Sequence, residues 1–165
     1  MKIVRKKDAQ EQEKQPGSVV EMLRKIACDE LVSYHAYLVA SKNIHGTNWM
    51  DVKQEFEDHA KEELEHYEAV LQRIWQLGEP VHAVFKTVSE SCGYYWDMDM
   101  DDPKGACEAA EKAELEAVKT YKELLQFIAN TPVEERDFVT QKLAKSNLET
   151  EEEHVQDIAH LLNEF

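Results

Sequence analysis

A chain of 165 residues is long enough to bury a core without disulfide or metal staples, and one domain is the expectation. Its formal net charge of −15 repels phosphate, which argues against nucleic acid as a partner for the body of the protein and suits a protein that attracts cations. The opening MKIVRKK lacks the apolar run of a signal peptide and no later stretch has the apolar length of a membrane span, so a cytoplasmic protein with no membrane partner is expected.

Residues 1–17 read as a flexible polar tail with Lys2, Arg5, Lys6 and Lys7 near its start, and 18–165 as the folded domain. Ser18 followed by Glu21 forms a capping box that opens a first helix over roughly 19–45, stopped at Gly46. Asn48 is the candidate cap of a second helix, about 49–77, which ends at the Gly78 and Pro80 stop. Asp102 with Pro103 opens a third helix ending near Ala129, and Thr131, Pro132 and Glu134 predict that a fourth starts almost at once and runs to the C-terminus. Turns join the first pair and the second pair, whereas about 25 residues, including the short helical candidate VHAVFKTVSES, separate the pairs. The fold class is all-α: a four-helix bundle with one long crossover between its second and third helices.

Acidic residues interrupt the apolar stripes. The second helix has a stripe through Val52, Phe56, Ala60, Tyr67, Val70, Ile74 and Leu77, and the positions that continue it through the middle are Glu63 and His66. In the fourth, Ala144, Leu148, Val155, Ile158 and Leu162 are interrupted by Glu151 and bordered by His154; Glu30 breaks the first stripe and Glu114 the third. Glu62, Glu65, Glu152 and Glu153 fall outside the stripes, where a solvated face is the ordinary explanation.

Four unpaired buried carboxylates would each cost several kcal/mol, so they must be protonated, paired or bound to metal, and no Lys or Arg lies on the stripes near them. Carboxylates with imidazoles and no thiolate suit iron or manganese better than calcium, and zinc has no need of so many oxygens. Four Glu and two His can hold two divalent ions. The Glu-x-x-His spacing carries little weight alone, since chance gives about one match in a chain so rich in Glu; a third match, Glu79 to His82, spans Pro80 and is discounted. The weight comes from four helices placing a misplaced carboxylate at matching depth, in an internal repeat where Glu30 and Tyr37 are echoed by Glu114 and Tyr121.

Glu-x6-Tyr, Glu-x2-His, a long crossover, then both motifs again resembles the ferritin-like di-iron carboxylate family over residues 18 to 163. Within it the sequence is most similar to bacterioferritins and the bacterioferritin-related, Dps-like mini-ferritins. The resemblance implies two iron ions per subunit, with Glu30 and Glu114 as terminal ligands, Glu63 and Glu151 bridging, His66 and His154 as terminal nitrogens, and Tyr37 close to the metals with Tyr121 its counterpart. Leu64 stands where bacterioferritins carry a haem-ligating Met, which argues against that mode of haem binding. No fifth helix follows the fourth, which favours a 12-subunit shell over a larger one. Cys92 resembles the first cysteine of a pair found in mini-ferritins, while Glu116 occupies the place of the second; Cys107 is the alternative partner.

The expected function is that of a ferroxidase and iron-storage protein: Fe(II) is oxidised by H2O2 or O2 at a centre inside one subunit, and Fe(III) is stored in a homo-oligomeric shell. Two alternatives stand beside it. One is a di-iron or di-manganese peroxidase or catalase without storage; the other is DNA protection through the basic tail, against which stands the reading of that tail as a solvated terminus. His59 and Asn147, each four residues before a bridging Glu, are expected either behind the ligands or at the surface near pores. Trp49, Trp75 and Trp96 are expected to serve packing or subunit contacts.

Overall fold

The computed structural model describes residues 17–81 and 102–165. The basic tail, the short helix expected in the crossover, Cys92 and Trp96 lie outside the described residues. Among those described there are four α-helices, one 3-10 turn and no strand: α1 (Val19–Asn43), α2 (Trp49–Gln76), α3 (Pro103–Asn130) and α4 (Phe138–Leu162). None of these helices is long and apolar enough to cross a membrane.

Three helix ends form as the sequence predicts. Ser18 Oγ accepts from Glu21 N (3.2 Å), and the Glu21 carboxylate accepts in return from Gly17 N (2.7 Å), so the first-turn donors of α1 are met locally. Gly78, at φ +80°, ends α2: its N–H bonds Trp75 O (3.0 Å) while Glu79 N bonds Ile74 O (3.3 Å), a closure that needs the left-handed conformation. Asp102 caps α3 by accepting from Gly105 N, with Pro103 at the first helical position.

Two ends differ. Asn48 lies in the left-handed region (φ 58°) and caps nothing; its Nδ2 donates to Glu164 O (3.1 Å), tying the start of α2 to the residue beyond α4. Thr131 and Pro132 do not open the fourth helix either. They lead into a 3-10 turn, Val133–Glu135, and the cap of α4 is Asp137, whose Oδ1 accepts from Thr140 N (2.9 Å). Arg73 of α2 explains the choice: it donates to Asp137 Oδ1 (2.7 Å) and to Thr140 Oγ1 (2.8 Å), so a long-range ion pair selects the cap over the local capping box. Arg73 and Thr140 also hold the Asp137 carboxyl below its usual range, outweighing the effect of burial.

Side-chain contacts fix the topology. Lys25, early in α1, reaches Thr120, late in α3 (3.3 Å), and Arg24 pairs with Glu79 just past α2 (3.1 Å). Helix α1 is therefore antiparallel to both α2 and α3. The end of α2 and the start of α3 lie at opposite ends of the bundle, as a long crossover requires. Two apolar clusters fill the interior: Leu23, Ile26, Ile74, Leu124 and Ile128 at one end, and Ala40, Val52, Phe56, Cys107 and Ile158 at the other. The polar centre lies between them.

Candidate metal centre

Each helix delivers its misplaced carboxylate to the middle of the bundle. Glu30 of α1, Glu63 and His66 of α2, Glu114 of α3, and Glu151 and His154 of α4 are all buried, none more than 7% exposed. Their candidate ligand atoms fall into two groups, each within 4.8 Å: Glu30, Glu63, His66 and Glu151 in one, and Glu63, Glu114, Glu151 and His154 in the other. Glu63 and Glu151 belong to both, which is the sharing that two ions with two bridging carboxylates require.

Hydrogen bonding does not account for this cluster. His66 Nδ1 lies 2.9 Å from Glu151 Oε1 and 3.6 Å from Glu30 Oε2, yet it makes no aligned hydrogen bond. His154 Nδ1 is 3.5 Å from Glu63 Oε1 and 3.6 Å from both Glu114 Oε2 and Glu151 Oε2, and it too lacks a partner, as do Glu63 Oε1 and both Glu151 oxygens. Buried polar atoms left this way cost roughly 1–3 kcal/mol each, more when charged. The orphaned atoms all face one another, and a set of four carboxylates and two imidazoles fits first-row divalent cations such as iron.

The electrostatics show the same strain. Burial, then the charges of Glu151, Glu30 and Glu114, raises the Glu63 carboxyl well above its usual range; Glu114 is also raised, chiefly by burial. Burial acts to lower the His66 pKa, but Glu151 and Glu30 outweigh it and push it up to about 10. His154 rises in the same way under Glu114, Glu151, Glu62 and Glu63. For Glu30, burial acts to raise the pKa, but the close approach of Glu63 and His66 and the Tyr121 hydroxyl outweigh it and lower the pKa.

Two tyrosines cross-link the pairs. Tyr37 of α1 donates to Glu114 of α3, and Tyr121 of α3 donates to Glu30 of α1. Burial and the neighbouring carboxylates raise both phenols well above their ordinary range, which keeps them protonated as donors. Asn147 lies behind Tyr121, donating to its hydroxyl (2.8 Å). His59, at the corresponding position of α2, lies edge-on to Tyr37 and stacks on His154 at 3.9 Å. Neither residue is at the surface; both are buried beside the cluster of four Glu and two His.

Glu62 is the residue that sequence reasoning missed. Its stripe position is solvated, with 48% of the side chain exposed, but its Oε2 sits 2.7 Å from His154 Nε2. With Nε2–H donated to Glu62, loss of the other ring proton to an incoming cation would leave the His154 lone pair at Nδ1, facing the cluster, so Glu62 orients the ring and selects the nitrogen offered to metal. The only sequence signal is a carboxylate adjacent to Glu63; which helix lies on that side is not written in the stripe. Glu62→Gln is expected to weaken cation binding 10- to 100-fold at the position served by His154 and Glu114 and to spare the one served by His66 and Glu30. Co(II) titration of the metal-stripped protein followed by absorption reads this directly, and equal affinities for both ions in the variant would remove the role.

The family model described as the ferritin-like domain matches residues 20–165. Against curated protein sequences the chain finds no match. Among solved structures it is similar to the bacterioferritin-related protein of Bacteroides fragilis, a dodecameric thioferritin, at 27% identity and a TM-score of 0.81 over 88% of this chain and 84% of that one. It is also similar in fold to antigen TpF1 of Treponema pallidum (18% identity, TM-score 0.80, 90% of this chain and 99% of that one) and to Dps from Staphylococcus aureus (14%, 0.79, 87% and 94%). The family match spans every helix that contributes to the buried cluster, and the chain belongs to the ferritin-like domain family.

Proposed function

We propose that this protein is a ferroxidase that stores the iron it oxidises. The observation that carries the reading is the pair of buried ligand groups sharing Glu63 and Glu151, with orphaned atoms turned toward one another. In the proposed roles, Glu30 with His66 and Glu114 with His154 hold one substrate ion each, and Glu63 and Glu151 bridge them. Two Fe(II) supply two electrons to H2O2, whose O–O bond breaks to give two waters once two protons are taken up; with O2 the same two electrons and two protons give H2O2. The four carboxylates favour the ferric product, because each added positive charge is met by negative charge already in place at low dielectric. Tyr37 and Tyr121 orient Glu114 and Glu30 by donating to the oxygen of each that does not face the cluster's imidazoles.

Storage requires a cavity, and support for one comes from the dodecameric assembly of the Bacteroides fragilis relative. Exposed Trp49, Met50, Phe138 and Val139 are apolar surface that subunit contacts would cover. Sedimentation of the purified protein, before and after addition of Fe(II) with H2O2 or O2, tests the reading. A particle of about twelve chains that gains mass as ferric mineral is expected by analogy with that relative. A monomer or dimer that turns over H2O2 without retaining iron would replace it with the peroxidase alternative.

A further inference from the structure

The internal repeat breaks at one place outside the buried cluster. Asn147 closes a hydrogen bond on Tyr121, but its counterpart His59, only 2% exposed, has no hydrogen-bond partner at either ring nitrogen. The surroundings differ too. Eight residues before the bridging Glu stands Glu55 in α2 but Leu143 in α4; six residues after it stands Asp157 in α4 but Ala69 in α2. Glu55 and Asp157 converge on His59, with Glu55 Oε1 3.3 Å and Asp157 Oδ2 3.9 Å from Nε2, and the three ligand atoms lie within 4.8 Å of one another.

We propose that Glu55, His59 and Asp157 form a third metal site, which takes a divalent first-row transition cation from solvent and hands it past His59 to the buried pair. Two carboxylates and an imidazole on one side, with solvent on the other, suit such a cation better than calcium, which seeks six to eight oxygens. The site faces both ways. Its carboxylates are open, with 34% of the Glu55 and 46% of the Asp157 side chain exposed, while His59 is buried against the inner cluster. His59 also groups with Glu114 and His154, so one imidazole borders both sites. Without a cation the site is electrostatically strained: burial and the charges of Asp157 and Asp58 raise the Glu55 carboxyl above its usual range. Glu55 and His59 are one helical turn apart on α2, and Asp157 lies about one turn beyond His154 on α4, so no rearrangement of backbone is needed to assemble them.

Binding at this outer site does not depend on the reading of the buried six as an iron centre; the hand-off does. Crystals of the assembled, metal-stripped protein soaked in Co(II) separate the two through anomalous scattering at the cobalt edge. A peak between Glu55, His59 and Asp157 is expected beside the peaks of the buried pair, and Glu55→Gln/Asp157→Asn, both at partly exposed positions, should erase that peak alone. No outer peak in the native protein, or one that survives in the variant, overturns the site; an outer peak with nothing at the buried pair overturns the buried centre and leaves this site standing. For the hand-off, the variant should oxidise limiting Fe(II) roughly ten-fold more slowly, with the same iron bound per chain at equilibrium. An unchanged rate overturns the transfer role.

Discussion

Glu63→Ala/Glu151→Ala is expected to reduce iron oxidation to the uncatalysed background and to abolish tight binding of both ions. These two carboxylates are the ones common to both ligand groups, so the double substitution leaves each ion with only a Glu and a His. Partners that only orient a ligand typically carry 10- to 100-fold in affinity or activity, and loss of two shared ligands should exceed about a hundred-fold. Glu30→Ala and Glu114→Ala should act unequally on the two ions, because each belongs to one group. Glu152→Ala/Glu153→Ala, on the exposed face of α4, is the control and should change neither binding nor rate. Thermal melts of the metal-free variants exclude unfolding as the cause: the double alanine variant loses packing volume but also two desolvated carboxylates, and these oppose each other. Iron oxidation at the native rate in a folded double variant would sink the assignment of Glu63 and Glu151.

How far the sequence alone reaches is set by what a helical stripe encodes. A stripe records which side of one helix turns inward, so the four buried Glu and the two His were legible from it, and the long separation of the helix pairs gave the crossover. Helix neighbours are not recorded. Glu62 looks solvated because half of it is; the His154 ring it orients comes from α4, whose position beside that edge of α2 is a tertiary fact. Asp137 was hidden for the same reason. A local capping box at Thr131 and Glu134 competes with it, and the Arg73 guanidinium arriving from 64 residues away decides the outcome. His59 shows a third limit. A histidine four residues before a bridging Glu is equally compatible with the surface and the interior until the ring is seen stacked on His154 with neither nitrogen bonded.

The metal-free and metal-loaded proteins are expected to respond to pH in opposite directions between about pH 6.5 and 9. In the metal-free chain the folded state binds protons more tightly than the unfolded one at His66, where the pKa rises from 6.5 to about 10. A group raised in this way contributes stability that is fully present below pH 6.5 and lost as pH climbs toward 10. Glu63 and Glu114, raised first by burial, act with the same sign from their ordinary 4.5 upward; Glu30, lowered, acts oppositely but only below 4.5, outside the window. Each pKa unit corresponds to about 1.4 kcal/mol, so His66 by itself contributes at most about 5 kcal/mol to the loss, or roughly 10–20 °C in Tm for a chain of this length, and the raised His154 adds to it with the same sign. A bound cation reverses the sign, because every ligand must be deprotonated to hold it and binding releases protons that rising pH helps remove. Loading to about a thousand times Kd adds roughly 4 kcal/mol, and that increment should grow with pH as proton competition fades. Calorimetric melts in chelator and in Co(II) should therefore diverge as pH rises, the first falling and the second holding or climbing. Parallel curves would mean that the six buried side chains are not what holds the cation. His66→Gln distinguishes the source of the slope: it removes one of the two raised imidazoles, His154 being the other, so the metal-free curve should become shallower while the Glu114 and His154 side still binds one ion.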